Sequence, residues 1–381
     1  MGCKIGKFIE NSLDNGLTRR NVMGTISKQA SKQASKQASK QYYGFDIIKL
    51  IAAICVVAIH AEPMITMEGT VIFCLYEFIV RLAVPFFFMV SGFLLFSKIE
   101  INHGLDGNME ILKIWLRRTI GRYLIWHVMY LPIAMYGIDW SQINPIKVAL
   151  QYLMNLVCVG QQWYSWPLWY LLSSIYAVTF FTVMIKIGVK KRTLFILSLA
   201  VYLLSFAMTY LADNAAVFEG IVGLVSKLIT ETFGNGRVFT GVGYMAVGMM
   251  CTGAKHIISV TKSAIVLGVS AAVAVLLFMA DIMFTETPLL IIPAYALFCI
   301  GKSWAGTVRS KVCEYCRKTS TSIYSTHMIL FFLGGLLFWG FEGTERYGVL
   351  PFIWTLGLSL MLSVVVYCFR NTKVVKRLFA G

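Results

Sequence analysis

The chain has 381 residues, of which 58% are apolar and 14% charged, against roughly a quarter charged in an ordinary soluble domain. So few charges cannot cover a soluble fold of this size, and 26 Phe, 18 Tyr and 9 Trp push the same way. A secreted disulfide module, a DNA-binding protein and a cytosolic enzyme are thereby excluded.

Residues 1–43 form a polar, basic extension in which SKQA occurs three times and is followed by SKQ, from Ser27 to Gln41. Such a composition cannot build a core, so a disordered or membrane-surface tail on the cytoplasmic side is predicted. Gly2 and Cys3 do not make a lipidation signal, because position 6 is Gly. No cleavable signal peptide is expected, since the first apolar run begins beyond residue 43 and is long enough to span.

Apolar runs near 20 residues give ten spans, roughly 45–65, 71–97, 119–136, 167–185, 193–211, 237–253, 263–281, 289–304, 320–340 and 350–369. The expected fold is therefore an all-α polytopic membrane protein. One membrane domain covers 44–370 and a short basic tail covers 371–381. The apolar run at 146–159 is short and carries Lys147 and Gln151. Counting it as a span would invert every later loop, so it is predicted to be a re-entrant or interfacial helix.

The net charge of +16 reports topology. Lys186, Lys190, Lys191 and Arg192 share one loop, and Lys302, Arg309, Lys311, Arg317 and Lys318 share another, whereas the opposite side keeps Lys147, Lys227 and Arg346. Positive residues favour the cytoplasmic side, so both termini are expected there, with anionic lipid rather than nucleic acid as the basic faces' partner. The nine cysteines lie mostly in spans or on the reducing side. A lone CxxC, Cys313 and Cys316, is weak evidence for a metal, and none is expected.

Ionisable groups in hydrocarbon mark sites by default. In the first span Asp46, Lys49, Ala53, Val56 and His60 recur at helical spacing. Lys49 and His60 are about three turns apart on one face, ~16 Å along the axis. Lys49 is expected near the cytoplasmic surface and His60 deep or toward the outer half. Arg81, Arg122 and Arg237 also fall inside spans or at their rims. Glu77 and Arg81 lie four apart in the order that favours an ion pair, either fixing helix packing or serving an acceptor.

A basic residue, ten residues and then His in the first span resembles the acyltransferase 3 family of membrane O-acyltransferases. AVPFFFMVSGFLLF (Ala83 to Phe96), LWYLLSSI (Leu168 to Ile175) and SIYSTHMIL (Ser322 to Leu330) resemble further family elements in the family's order. Two departures stand out. Lys49 replaces the frequent Arg, which keeps the charge and loses the planar fork. In WLRRTIGRYLIW, Arg118 matches the family's paired arginines, while Arg117 and Arg122 compete to be its partner.

The resemblance implies transfer of an acyl group, usually acetyl from acetyl-CoA as co-substrate, to a hydroxyl of an envelope glycan or related acceptor. It makes His60 the base, with Lys49 and Asp46 on its stripe, and Arg117, Arg118 and Arg122 the donor's phosphate clamp. Tyr324 and His327 are expected near the cytoplasmic mouth of the ninth span, against the donor. Ser91 reads either as a small helix contact or as a nucleophile. Trp163, Trp166, Trp169 and Tyr170 read either as an outer aromatic belt or as a sugar platform. His103 and His256 fall in loops, and His127 has no nameable partner. An esterase-like partner would have to be a separate chain.

IHAEP (Ile59 to Pro63) and RLAVPFFFMVSGFLLF (Arg81 to Phe96) also resemble the membrane half of membrane-bound serine racemases. That likeness implies a transporter-like alternative, with no room expected for a racemase domain.

Overall fold

A computed structural model describes residues 41–99, 105–138, 144–253, 257–306 and 310–379. The SKQA repeats, Gly2, Cys3, His103, His256 and Arg309 lie outside these residues. Among the described residues the only β pairing is one isolated antiparallel bridge between Gln41 and Gly306.

The helices, in chain order, are α1 (Tyr43–Ala61), α2 (Val71–Arg81), α3 (Ala83–Phe96), α4 (Leu105–Tyr136), α5 (Pro145–Met154), α6 (Trp169–Lys186), α7 (Lys191–Asp213) and α8 (Gly220–Phe233). They continue with α9 (Thr240–Met250), α10 (Val260–Phe278), α11 (Ile291–Ser303), α12 (Lys311–Gly334), α13 (Val349–Cys368) and α14 (Lys373–Leu378). Seven segments are long and apolar enough to cross a membrane, α2 and α3 together counting as one. The chain is an all-α, multi-pass membrane protein.

Three of the ten predicted spans fall on helices that miss this standard. The run 119–136 sits inside the 32-residue α4, where Arg122 and His127 dilute the hydropathy. The runs 237–253 and 289–304 contain α9 and α11, which have only 11 and 13 residues. α9 is buried along nearly its whole length, so its surroundings are mostly protein and bilayer thickness does not set its length. The amphipathic helix α8 has no counterpart in the hydropathy reading. The short helix expected at 146–159 is α5, continued by a π-turn over Asn155–Val159.

Local chemistry sets several boundaries. Thr70, Asn144, Ser259 and Ser310 cap α2, α5, α10 and α12 by accepting a backbone N–H of the first turn. Pro63 lies just beyond α1, and the residue before a proline is pushed out of the α region. Glu62 ends the helix in the left-handed region with φ 45°, its N–H still donating to the Ala58 carbonyl, so His60 falls in the last turn of α1.

α1, α2–α3, α6 and α12 form the interior, with half or more of their apolar windows buried. α7, α10 and α13 are 22%, 17% and 28% buried and so present apolar faces to the surroundings. α3 is apolar on every side, and such a helix belongs inside: Phe86, Phe88, Met89 and Val90 are fully buried. It packs on α9 through reciprocal glycines. A Cβ at Gly92 would strike the Met245 backbone, and one at Gly248 would strike the Met89 carbonyl.

Overpacking a close contact costs about 1–3 kcal/mol. Gly248→Leu should therefore lower the thermal midpoint of the detergent-solubilised protein well below that of the same substitution at Gly268, a helical glycine of α10 with open space around it. Equal midpoints would show that the α3–α9 approach is not tight.

Candidate functional site

The last turn of α1 and the middle of α12 meet at two histidines. The His60 and His327 rings stack at 5.4 Å with 27° between their planes. Trp166, in a short 3₁₀ turn before α6, faces His60 at 5.7 Å. The end of α1 is tied down on two sides: Tyr76 of α2 donates to the Ala58 carbonyl at 2.8 Å, and the Gly348 N–H donates to the Ala61 carbonyl at 2.7 Å.

His327 is fully buried. Its Nδ1 lies 2.9 Å from the Ile323 carbonyl oxygen and 3.0 Å from that of Tyr324. Carbonyl oxygens only accept, so Nδ1 carries the proton and Nε2 carries a lone pair. That Nε2 has no hydrogen-bond partner among the described residues. Leaving a buried acceptor unpaired costs about 1–3 kcal/mol. His60 likewise makes no hydrogen bond through its ring within the described residues, and ring contacts alone orient it.

A cation borders the pair. Arg237 precedes α9 in a 3₁₀ turn. Its guanidinium lies over the Trp169 ring at 4.5 Å and donates to Gln161 Oε1 at 2.6 Å. The charges of Arg237 and Arg81 both act on His60. Arg81 is bound to the buried carboxylate of Glu77 at 2.7 Å.

A polar lane leads away from the histidines. One turn before His327, Tyr324 donates to the Pro167 carbonyl, and its ring meets Tyr170 at 5.7 Å. The Tyr170 and Ser91 hydroxyls are 3.0 Å apart. Arg122 is within electrostatic range of both tyrosines. It also approaches the Arg118 carbonyl at 3.4 Å and the Thr119 hydroxyl at 3.5 Å. Arg117 and Arg118 are exposed on α4.

Several sequence expectations change. His327 is not at a helix mouth but against His60, because the long α12 carries it to the far end of α1. Trp169 and Tyr170 do not form a peripheral belt: one underlies Arg237 and the other reaches Ser91. Ser91 is thus a hydrogen-bonding contact between α3 and α6. Asp46 and Lys49 are not brought to His60. Asp46 pairs with Arg317 at 3.6 Å, and Lys49 feels both of those charges, ~16 Å or more down the helix. Arg122, not Arg117, is the arginine that joins the polar lane.

His127 is buried between Tyr123 and Tyr152, with neither ring nitrogen partnered among the described residues. Cys313 and Cys316 are buried free thiols, and no group of three potential metal ligands occurs among the described residues. Sequence reasoning gave no role to Gln161, counted Arg317 only among the topology charges, and put Trp166 in the outer aromatic group rather than against His60. Arg237 carried a signal as a charge at the edge of an apolar run.

Comparison with known proteins follows the same lines. The chain is 27% identical over 210 residues to an amino-acid racemase of Enterococcus faecalis, covering 54% of this chain and 28% of the relative. It is 31% identical over 123 residues to a serine/alanine racemase of Enterococcus gallinarum, covering 32% of this chain and 17% of the relative. The chain thus spans less than a third of the length of these relatives. No solved structure gives a significant match. The acyltransferase-domain family matches residues 42–370, from just before α1 to just beyond α13. With that match over nearly the whole membrane domain, the chain belongs to the acyltransferase 3 family.

Proposed function

We propose that this protein is an integral-membrane O-acyltransferase that moves acetyl from acetyl-CoA to a hydroxyl of a cell-envelope glycan or related acceptor. The observation that supports it most is the stacked His60–His327 pair, with its unpartnered nitrogen lone pair, at the head of a polar lane. An alcohol is a poor nucleophile until a base takes its proton, and neutral imidazole does this near pH 7. In this reading His60 removes the acceptor hydroxyl proton as the oxygen attacks the thioester carbonyl. The C–O bond forms, the C–S bond breaks, and the proton passes to the departing thiolate. His327 assists by holding a hydrogen-bond acceptor of fixed tautomer beside the reacting group.

The donor's phosphates stay at the water boundary in this scheme, against Arg117 and Arg118, where a guanidinium fork suits phosphate oxygens. The pantetheine arm follows Arg122, Tyr324 and Tyr170 inward. Lys and Arg bias places both termini and the 186–192 loop in the cytoplasm, so the donor arrives from the side where the Asp46–Arg317 pair and Lys49 lie. The similarity to racemases supports a second reading, a transporter-like protein handling serine or a related amino acid.

His60→Ala should leave the protein inserted and donor-binding yet cut acetyl release from labelled acetyl-CoA by ~10²–10⁴-fold, the usual worth of base catalysis. His60→Gln should not restore it, because an amide cannot take up the proton. His327→Ala should lose activity to a comparable extent. Full activity in His60→Ala membranes would bring the carrier reading forward.

Arg118→Ala should raise the acetyl-CoA concentration needed for half-maximal rate while leaving the maximal rate nearly unchanged, because it removes binding and not chemistry. An unchanged donor requirement would reduce Arg118 to a topology signal.

Cysteines introduced at 341–349 should react with an impermeant reagent from outside, and cysteines at 186–192 should not. The reverse pattern would overturn the orientation.

A further inference from the structure

Arg237 is a partly buried cation without an anion. Within the described residues no carboxylate pairs with it: Glu77 binds Arg81 at 2.7 Å, Asp46 binds Arg317 at 3.6 Å, and Glu62, just past His60, interacts with Glu77, Arg81 and Arg346 but not with Arg237. The groups that do hold Arg237 are neutral, namely the Gln161 amide oxygen at 2.6 Å and the Trp169 face at 4.5 Å. Removing a charge from water without an opposite charge is expensive. The amide and the indole do something specific instead: they fix the orientation of a planar donor fork while leaving its charge unspent. A guanidinium carries five N–H donors, and the side-chain hydrogen bond to Gln161 uses one nitrogen.

The position matters as much as the charge. Trp169 lies one turn along from Trp166, whose ring faces His60, and the Arg237 charge reaches His60. A small molecule touching both His60 and Arg237 would have to present a hydroxyl to the first and negative oxygens to the second.

We propose that Arg237 is the recognition point for a carboxylate carried by the acceptor, so that the substrate class is a hydroxy-carboxylate. The word acceptor rests on the O-acyltransferase reading; the anion site itself does not. A carboxylate fits better than a phosphate ester because one unneutralised cation is present. Arg81 is already neutralised by Glu77, and a phosphate group would bring roughly −1.5 to −2 charges. The planar fork also matches the two oxygens of a carboxylate.

The test needs no knowledge of the natural acceptor. A ligand that binds the folded state alone raises its stability in proportion to the logarithm of its concentration over Kd. Thermal unfolding of the purified full chain in detergent is followed in glycolate, glycolamide and inorganic phosphate at constant ionic strength. Glycolate should raise the midpoint saturably, and glycolamide and phosphate should not. R237Q should abolish the glycolate response. R237K should weaken it several-fold, because the charge remains and the fork is lost. Should R237Q fail to fold, Q161L, which frees the guanidinium, should shift the half-effect glycolate concentration upward several-fold.

No glycolate response in the wild-type protein, an equal response to glycolamide or phosphate, or an unchanged response in R237Q or Q161L would overturn the proposal. Failure of the two readings is distinguishable. A glycolate response without acetyl transfer keeps the carboxylate site and sinks the O-acyltransferase. Acetyl transfer without a glycolate response does the opposite.

Discussion

An ionisable side chain away from water must find an opposite charge or be walled in by protein, and this constraint arranges the interior of the molecule. Asp46 answers it with Arg317 across the α1–α12 contact, and Glu77 answers it with Arg81 inside α2. Both pairs cost little once made and would be expensive to break from one side. His60, His327 and Arg237 lack such an answer, as does His127 on α4. The first three are gathered where α1 ends, where α12 passes, and where the turn before α9 comes in. Polar groups left unsatisfied together, shielded by aromatic rings, are the pattern expected of a site built to be completed by a ligand.

The α1–α12 packing connects the two regions of the chain that carry chemistry. At the Tyr43 end it forms the Asp46–Arg317 pair, and at the Ala61 end it stacks the two imidazoles. A rigid helix pair fixed at one end limits the freedom of the other, so Arg317 serves the site as a brace although it lies far from His60. α3 and α9, joined through reciprocal glycines, provide the dense wall behind Tyr170 and Ser91. α7, α10 and α13 contribute apolar outer faces and little to the polar lane.

The lane itself explains why arginines of one helix serve different ends. Arg117 and Arg118 are exposed, which in the proposed scheme lets them meet the donor's phosphates without burial, while Arg122 lies within electrostatic range of Tyr170 and Tyr324. The chemistry assigned to His60 needs both a donor delivered from a polar side and a dry place for transfer, and the helix arrangement supplies a route between the two.

Much of this was legible in the chain itself. Hydropathy located the apolar helices, because hydrocarbon selects composition residue by residue along a segment. Caps and prolines such as Thr70, Ser310 and Pro63 act within one turn and so mark boundaries locally. The i, i+4 spacing of Glu77 and Arg81 is likewise a property of one helix, and the pair forms as spacing predicts. The His60 stripe and the order of the motifs pointed to the family before any packing was known. Packing decided the rest. Only α12 crossing α1 puts His327 on His60, and only the turn before α9 sets Arg237 over Trp169. α9, buried along most of its length, and α11 stop after 11 and 13 residues, which a scan tuned to bilayer thickness does not register. Periodicity fixes which residues share a helix face. Which two faces meet depends on how distant segments pack, and no local pattern carries that information.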